Sequence, residues 1–347
     1  MFVKDFDFYL PEGLIAQQPL ADRSASRLML VHKQHGYQAE STFASIGDWL
    51  RPGDLLVLND SKVIPARLIG NKKDSGSIEL LLLKQESETI WHALGKPGRR
   101  TRLGCDLEFA SGRLHAKVIE IIEEGIRRVE FSWSEELSFL ALLDDIGEMP
   151  LPPYIQDKLT EQDRYQTVYA NAPGSAAAPT AGLHFTQELL DELEQKKIDI
   201  CKVTLQIGLG TFRPVKVETV AEHVMHTEHY YLTTEAADQI NKAKAEGRRV
   251  IAVGTTACRV LESAVDSCGQ VVPGHADTDI FITPGYRFRI LDGLITNFHL
   301  PKSTLLMLVA ALTDRETILS CYQKAVEEQY RFFSFGDAMF IADHFIK

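Results

Sequence analysis

Apolar residues recur along the chain in two textures, with the change near residue 150. Before it the runs are short, alternate with polar residues and stop at turn residues, the period-two signature of strands. Ser26-Arg-Leu-Met-Leu-Val reads as a strand after a short polar arm, and Asp54-Leu-Leu-Val-Leu as another after the Pro52-Gly53 turn. From Ala66 onward the runs Ile78–Leu83, Thr89–Leu94, His115–Ile122 and Arg128–Trp133 are broken by Asn71, Gly76, Gly95, Pro97-Gly98, Gly112 and Gly125. Four or five strands at this spacing predict a small β-barrel or sandwich over residues 61–149. Ser134–Leu143 reads as a short helix, with Pro150, Pro152 and Pro153 marking the exit.

Beyond the prolines, strands and helices alternate. Gln187–Lys197 carries Leu189, Leu190 and Leu193 on one helical face, with Thr186 as its N-cap. Lys202–Ile207 is a predicted strand, Glu235–Glu246 a helix stopped by Gly247, and Arg249–Val253 a strand entering Gly254-Thr-Thr and a further helix. Asp279–Ile282 and Leu294–Phe298 read as strands. Ser303 opens an apolar helix, and Thr313-Asp-Arg-Glu316 is a capping-box sequence for the next. Residues 1–60 and 150–347 are therefore expected to form an α/β body beside the β-rich module.

Composition narrows the class. The chain has 347 residues, 45% hydrophobic and 24% charged, enough for two cores. Its longest apolar run, Leu305–Leu312, is far short of the roughly twenty residues a membrane span needs. Acids follow Met1 closely, so a signal peptide is not expected either. Cys105, Cys201, Cys258, Cys268 and Cys321 are odd in number and widely spaced. A disulfide framework or zinc ribbon does not fit, and a reduced, cytoplasmic protein is expected. No assembly segment stands out, and a monomer is the expectation. The net charge of −11 is uneven, because residues 60–130 hold 13 Lys/Arg against 11 Asp/Glu. Within residues 94–117 six cations face two acids, a local patch able to meet a phosphate backbone or to serve as an ordinary solvated loop.

Polar clusters fall at strand ends and helix starts, where α/β proteins place ligands. Pro173-Gly-Ser-Ala-Ala-Ala-Pro-Thr-Ala-Gly-Leu-His-Phe-Thr186 lets backbone approach a ligand closely and brings Thr180, Gly182 and His184 to a helix start. A tight loop with a hydrogen-bonded histidine satisfies the same residues. Gly208 and Gly210 lack the third glycine of a dinucleotide fingerprint, and Pro214 interrupts the helix it needs. A flat ligand near Phe212 fits better, as does a bulged strand end. His223-Val-Met-His226-Thr-Glu228 departs from the metalloprotease spacing, so a proton-handling or ligand-orienting role is favoured over a metal site, with solvated loop histidines as the bland competitor. Val253-Gly254-Thr255-Thr256 suits a carboxylate or phosphate and lacks the lysine of a P-loop; N-capping is its bland counterpart. Asp279 opens a predicted strand, Asn297 and His299 lie at a strand end, and Lys302-Ser303-Thr304 leads a helix. Tyr286 and Phe288, interleaved with Arg287 and Arg289, read either as a base-stacking strip or as a half-exposed strand.

The wording and order of these segments carry more than any one of them. Arg23-x-x-Ser26-Arg27-Leu, Leu58-Asn-Asp-Ser-Lys-Val-Ile-Pro-Ala-Arg67, Ala178-Pro-Thr-Ala-Gly-Leu-His-Phe-Thr186, Gly208-Leu-Gly-Thr-Phe-Arg-Pro-Val, His223-x-Met-His226-x-Glu228, Asp279-x-Phe-Ile-x-Pro-Gly-Tyr and Thr296-Asn-Phe-His-Leu-Pro-x-Ser-Thr-Leu resemble, over nearly the whole chain, the S-adenosylmethionine:tRNA ribosyltransferase-isomerases of queuosine biosynthesis. Ser61 and Gln206-Ile depart mildly from the family's frequent Thr and His-Val.

The resemblance implies a β-barrel inserted into an α/β catalytic domain. It implies transfer and isomerisation of the ribosyl part of S-adenosylmethionine onto the aminomethyl group of the 7-deazaguanine base preQ1, at the anticodon wobble position of a tRNA. The products would be epoxyqueuosine-tRNA, adenine and methionine. S-Adenosylmethionine is then a consumed co-substrate, and no metal or redox cofactor is called for. Proton work is expected of His184 and Glu228, with His226 and Asp279 in reserve. Gly254, Thr255 and Thr256 would hold the methionine carboxylate. Gly208, Gly210 and Phe212 would line a flat-base pocket, with Thr180, Gly182, Asn297 and His299 as further substrate contacts. Arg67, Arg99, Arg100, Arg102 and Lys302 would steady the anticodon backbone.

Overall fold

In the computed structural model, which describes residues 1–72, 76–122, 125–134, 136–157, 161–208 and 215–345, apolar alternation becomes separate cores, one in a barrel and others on the two faces of a large sheet. The strands β1 (Arg27–His32), β2 (Gly36–Thr42) and β3 (Leu55–Asn59) come first, followed by a short β4 (Ser61–Val63). Next come β5 (Arg67–Lys72), β6 (Gly76–Gln85), β7 (Ile90–Lys96), β8 (Asp106–Phe109), β9 (Leu114–Ile121) and β10 (Arg127–Trp133). These six close an antiparallel barrel. Helix α1 (Phe139–Ile146) packs Phe139, Leu142 and Leu143 into the barrel core with Trp91 and Phe131. The chain returns through β11 (Ala172–Ser175), which pairs in parallel with β4, so barrel entry and exit run side by side.

The other body is built on β12 (Asp199–Gln206), β13 (Glu228–Leu232), β14 (Val250–Val253), β15 (Gly274–Thr278), β16 (Gly293–Asn297) and β17 (Ala338–Ala342). With β1–β3 they form a nine-stranded sheet in the order β15-β13-β12-β3-β14-β16-β17-β1-β2. Helices α2 (Gln187–Gln195), α3 (Thr234–Ala245), α4 (Gly254–Ser263), α5 (Thr304–Leu312) and α6 (Arg315–Glu327) cover it. Central strands are buried on both faces, which is why they read as unbroken apolar runs. In β1, Met29 and Val31 join the core under α3–α6, while Leu28 and Leu30 face Phe43, Phe185 and the leucines of α2. Among the described residues no helix is long and apolar enough to cross a membrane.

Several predicted elements are corrected. The strand expected at Asp279–Ile282 is absent, because β15 lies at Gly274–Thr278 and Ile280 N–H then donates to Thr278 Oγ1, turning the chain. Helix α1 starts at Phe139, where Ser138 accepts from Ala141 N–H, and not at Ser134. Helix α6 is capped by Asp314, whose Oδ1 accepts from Thr317 N–H, and not by Thr313. Strands β5 and β8 went unpredicted. Glycine is required at Gly70 within β5 because a Cβ there would collide with the Phe109 ring and the Glu108 carbonyl of the paired β8.

Candidate functional site

Strands β12, β3, β14 and β16 are parallel, so their carboxyl ends open on one edge of the sheet. There β14 hands over to α4 at Gly254, whose φ of +88° lies in the left-handed region that favours glycine. The first turn of α4 borders a cavity of about 480 Å³. Among the described residues no side chain caps this helix, and Thr256 Oγ1 is buried without a hydrogen-bond partner. The capping alternative for the two threonines is thereby excluded. Unpaired amides at a helix start favour an anionic group, and the spare hydroxyl adds a donor beside them.

The facing wall comes from the end of β16. Asn297 Nδ2 donates to His184 Nε2 at 3.0 Å, and Thr180 Oγ1 donates to Asn297 Oδ1 at 3.1 Å. His184 Nδ1 lies 2.8 Å from Ser26 Oγ. Because Asn297 fills Nε2 as donor, the ring proton sits on Nδ1 and points at the serine. The ring stacks on Phe43 with centroids 4.8 Å apart. Burial pushes His184 down to about 4, so it is neutral at physiological pH. It borders a smaller pocket with Arg23 and Arg164, behind the main cavity.

His299 does line the main cavity. Its Nε2 is 3.0 Å from Thr296 Oγ1, its backbone N–H donates to Tyr322 Oη, and burial pushes its ring down to about 3. Lys302 stands at the rim with φ +60°, its Nζ 2.7 Å from Asp7 Oδ2.

The other expected residues are dispersed. Glu228 is buried in an ion pair with Arg259 of α4, and its Oε1 accepts from Gly208 N–H at 3.1 Å. It thus anchors the segment carrying Gly208 and does not border the cavity. His226 is half-buried in irregular chain ahead of β13, so His223 and His226 share no helical face. Among the described residues no His, Cys, Asp and Glu are gathered as a metal ion would need. Asp279 is exposed just past β15. Gly210 and Phe212 lie outside the described residues. Gly182 is buried where any Cβ would collide with the Tyr169 hydroxyl, a packing reason for glycine. Arg67 sits at the barrel base, 3.3 Å from Glu79. Arg99 and Arg102 are exposed at the opposite end, where Arg100 donates to Ser77 O at 2.9 Å. The strip Tyr286–Arg289 is no base-stacking strand: Tyr286 Oη and Arg289 N–H donate to the buried Glu262 carboxylate, and Phe288 packs on Tyr286.

Sequence reasoning missed roles for Ser26, Tyr154 and Arg259. Ser26 stood inside a noted motif, but its partner is 158 positions away. Tyr154 lines the cavity and bonds Ser334 Oγ, with no sequence signal beyond the neighbouring prolines.

Comparison with known proteins places this geometry. A model of the family described as queuosine biosynthesis protein matches residues 3–341. The chain is 56% identical to the S-adenosylmethionine:tRNA ribosyltransferase-isomerase of Desulforamulus reducens, covering 98% of this chain and 100% of that protein. It is 53% identical, with the same coverage, to the protein of that name from Clostridioides difficile. A crystal structure of S-adenosylmethionine tRNA ribosyltransferase from Thermotoga maritima is 36% identical, with a TM-score of 0.56 over 97% of this chain and 99% of that one.

Proposed function

The chain belongs to the queuosine biosynthesis protein family, and from that premise we propose that it is an S-adenosylmethionine:tRNA ribosyltransferase-isomerase acting on preQ1 at the tRNA wobble position. The observation that carries the reading is the pairing of walls in one cavity. An anion-favouring helix start with a spare threonine hydroxyl faces a pinned amide and a neutral imidazole.

The chemistry asks for these groups. The positive sulfur acidifies the ribose C5′–H, and loss of that proton triggers ring opening and departure of adenine. Adenine takes up a proton as it departs, the aminomethyl nitrogen attacks the opened sugar and gives up a proton, and a sugar oxygen closes on C5′ as methionine leaves with the electrons of its S–C5′ bond. The α4 start, with Gly254, Thr255 and Thr256, holds the methionine carboxylate. Thr180 and Asn297 orient the sugar, and His184 acts through Asn297. The proton work expected of His184 and Glu228 passes in this reading to His299, the imidazole that borders the cavity. Burial keeps it neutral and so able to accept a proton. Glu228 serves by holding the Gly208 segment, and His226 and Asp279 receive no proton role. Arg67, Arg99, Arg100, Arg102 and Lys302 meet the RNA backbone, and S-adenosylmethionine is consumed without a further cofactor.

Incubation of preQ1-containing tRNA with S-adenosylmethionine labelled in the ribose tests this directly. Mass spectrometry of the digested nucleosides is expected to find the label in the RNA, with free adenine and methionine in solution. An RNA that gains only a methyl group, with S-adenosylhomocysteine left behind, refutes the reading. His299→Ala is expected to lower turnover by about 100-fold or more; wild-type turnover in that variant removes His299 as proton acceptor and leaves the reaction standing.

A further inference from the structure

Beside the main cavity lies a second, open groove of about 600 Å³ between the amino-terminal arm and the turn after β16. The two hollows share Leu300 and Pro301. The arm lacks helix or strand over residues 7–10, and its side chains alternate. Phe8 turns inward, its ring 5.2 Å from that of Tyr322, and Leu10 also packs on the core. Tyr9 is left facing out from the groove wall, 82% exposed.

This arm is fixed to the cavity rim. Lys302 N–H donates to Phe6 O at 3.0 Å, and Lys302 Nζ lies 2.7 Å from Asp7 Oδ2. Asp5 is met by Arg315 at 3.7 Å. The Asp5 and Asp7 carboxylates are thus each met by a cation. An aromatic ring held in water on an anchored segment forgoes the burial that is its main stabilising resource. A nucleobase stacks on such a ring whatever its sequence, and a lysine at the same rim suits the phosphate next to it.

We propose that this groove is a nucleotide subsite, in which Tyr9 stacks the base next to the one held in the main cavity and Lys302 contacts the phosphate between them. The proposal rests on the RNA-modifying reading above, because the continuity of the two hollows matters only if one single strand passes through both. The occupant is a single-stranded RNA nucleotide of an anticodon loop, identified by its π face and its charge.

The test uses anticodon stem-loop RNA carrying 2-aminopurine at either position flanking the target base. With wild-type protein the fluorescence of one of the two labels is expected to be quenched. Tyr9→Ala should abolish that quenching and raise the KM for RNA about tenfold, while kcat at saturating RNA and the KM for S-adenosylmethionine hold. Tyr9→Phe and Tyr9→Trp should keep the quenching. Thermal melting checks that the exposed substitution leaves the fold intact. Unchanged quenching and KM in Tyr9→Ala, or no quenching of either label by wild-type protein, overturns the subsite. Binding is read without turnover, so RNA that binds and quenches but gains no ribose defeats the functional reading and spares the subsite.

Discussion

The two ends of the parallel strands treat polar groups in opposite ways. At the amino ends of β3, β14 and β16, buried and half-buried charge is answered by charge. Asp54 takes Arg249 bidentately as well as Arg51 N–H, and Asp292 takes Lys244 Nζ and Val250 N–H. At the carboxyl ends Asp60 accepts from Thr204 Oγ1, and the groups nearest the cavity are neutral, tied in the chain Ser26–His184–Asn297–Thr180 and the pair Thr296–His299, with Thr256 Oγ1 unpartnered among the described residues. One end is complete without a ligand; the other keeps a donor in reserve. The matched pairs mark where this sheet is fastened, and its open edge marks where it can take a ligand.

The largest effect should come from breaking the fastened end. Asp54→Ala leaves the guanidinium of Arg249 largely buried beside no counter-charge, and urea unfolding should show a loss of about 3–5 kcal/mol. Turnover by the fraction still folded should be unchanged, and a fall in kcat would mean that the two ends are coupled.

Acid should act on the neutral end. Both His184 and His299 have folded values below the 6.5 of the unfolded chain, so the unfolded state takes up protons first as pH falls. Stability is full above pH 6.5 and declines as pH drops toward 4. Between pH 6.5 and 5 each imidazole accounts for roughly 2 kcal/mol of the decline. His184→Gln should therefore flatten the plot of stability against pH by about that amount, and an unaltered slope would show that the ring titrates normally.

The smallest change in stability separates the ends most sharply. Thr256→Val removes a hydroxyl that bonds none of the described residues, so unfolding free energy should move by no more than about 1 kcal/mol. The KM for S-adenosylmethionine should nevertheless rise about tenfold. A stability loss comparable to that of Asp54→Ala would show that the hydroxyl is not idle.

What the sequence showed of this depended on how local the signal was. Arg249–Val253 followed by Gly254-Thr-Thr could be read as strand, turn and helix start because each step is made by adjacent residues. The barrel's longer strands were visible in the alternation of Ile78–Leu83 and His115–Ile122. Strand β5 was hidden because Gly70 exists to admit a ring from another strand. Strand β17 is buried on both faces, so Ala338-Met-Phe-Ile-Ala shows no alternation to read. At the site, His184, Asn297 and Thr256 stood out as residues, but their division of labour did not. The serine that fixes His184 and the arginine that claims Glu228 lie 158 and 31 positions from their partners. Glu228 looked reactive beside two histidines, yet β13 turns it inward to Arg259.

The first strand of the sheet lies between β2 and β17, with Leu28 opposite Ala338, and the Asp337 carboxylate accepts from both Arg27 N–H and Arg331 N–H. The molecule is thus laced shut by a strand that the ribosome makes more than 300 residues after its neighbour. Until that lace is drawn, Ser26 has no fixed place from which to hold His184, and the walls of the cavity have nothing to stand against. The pairing that fixes Ser26, and through it His184, is thus among the contacts of highest sequence separation in the fold, the kind that is slow to form.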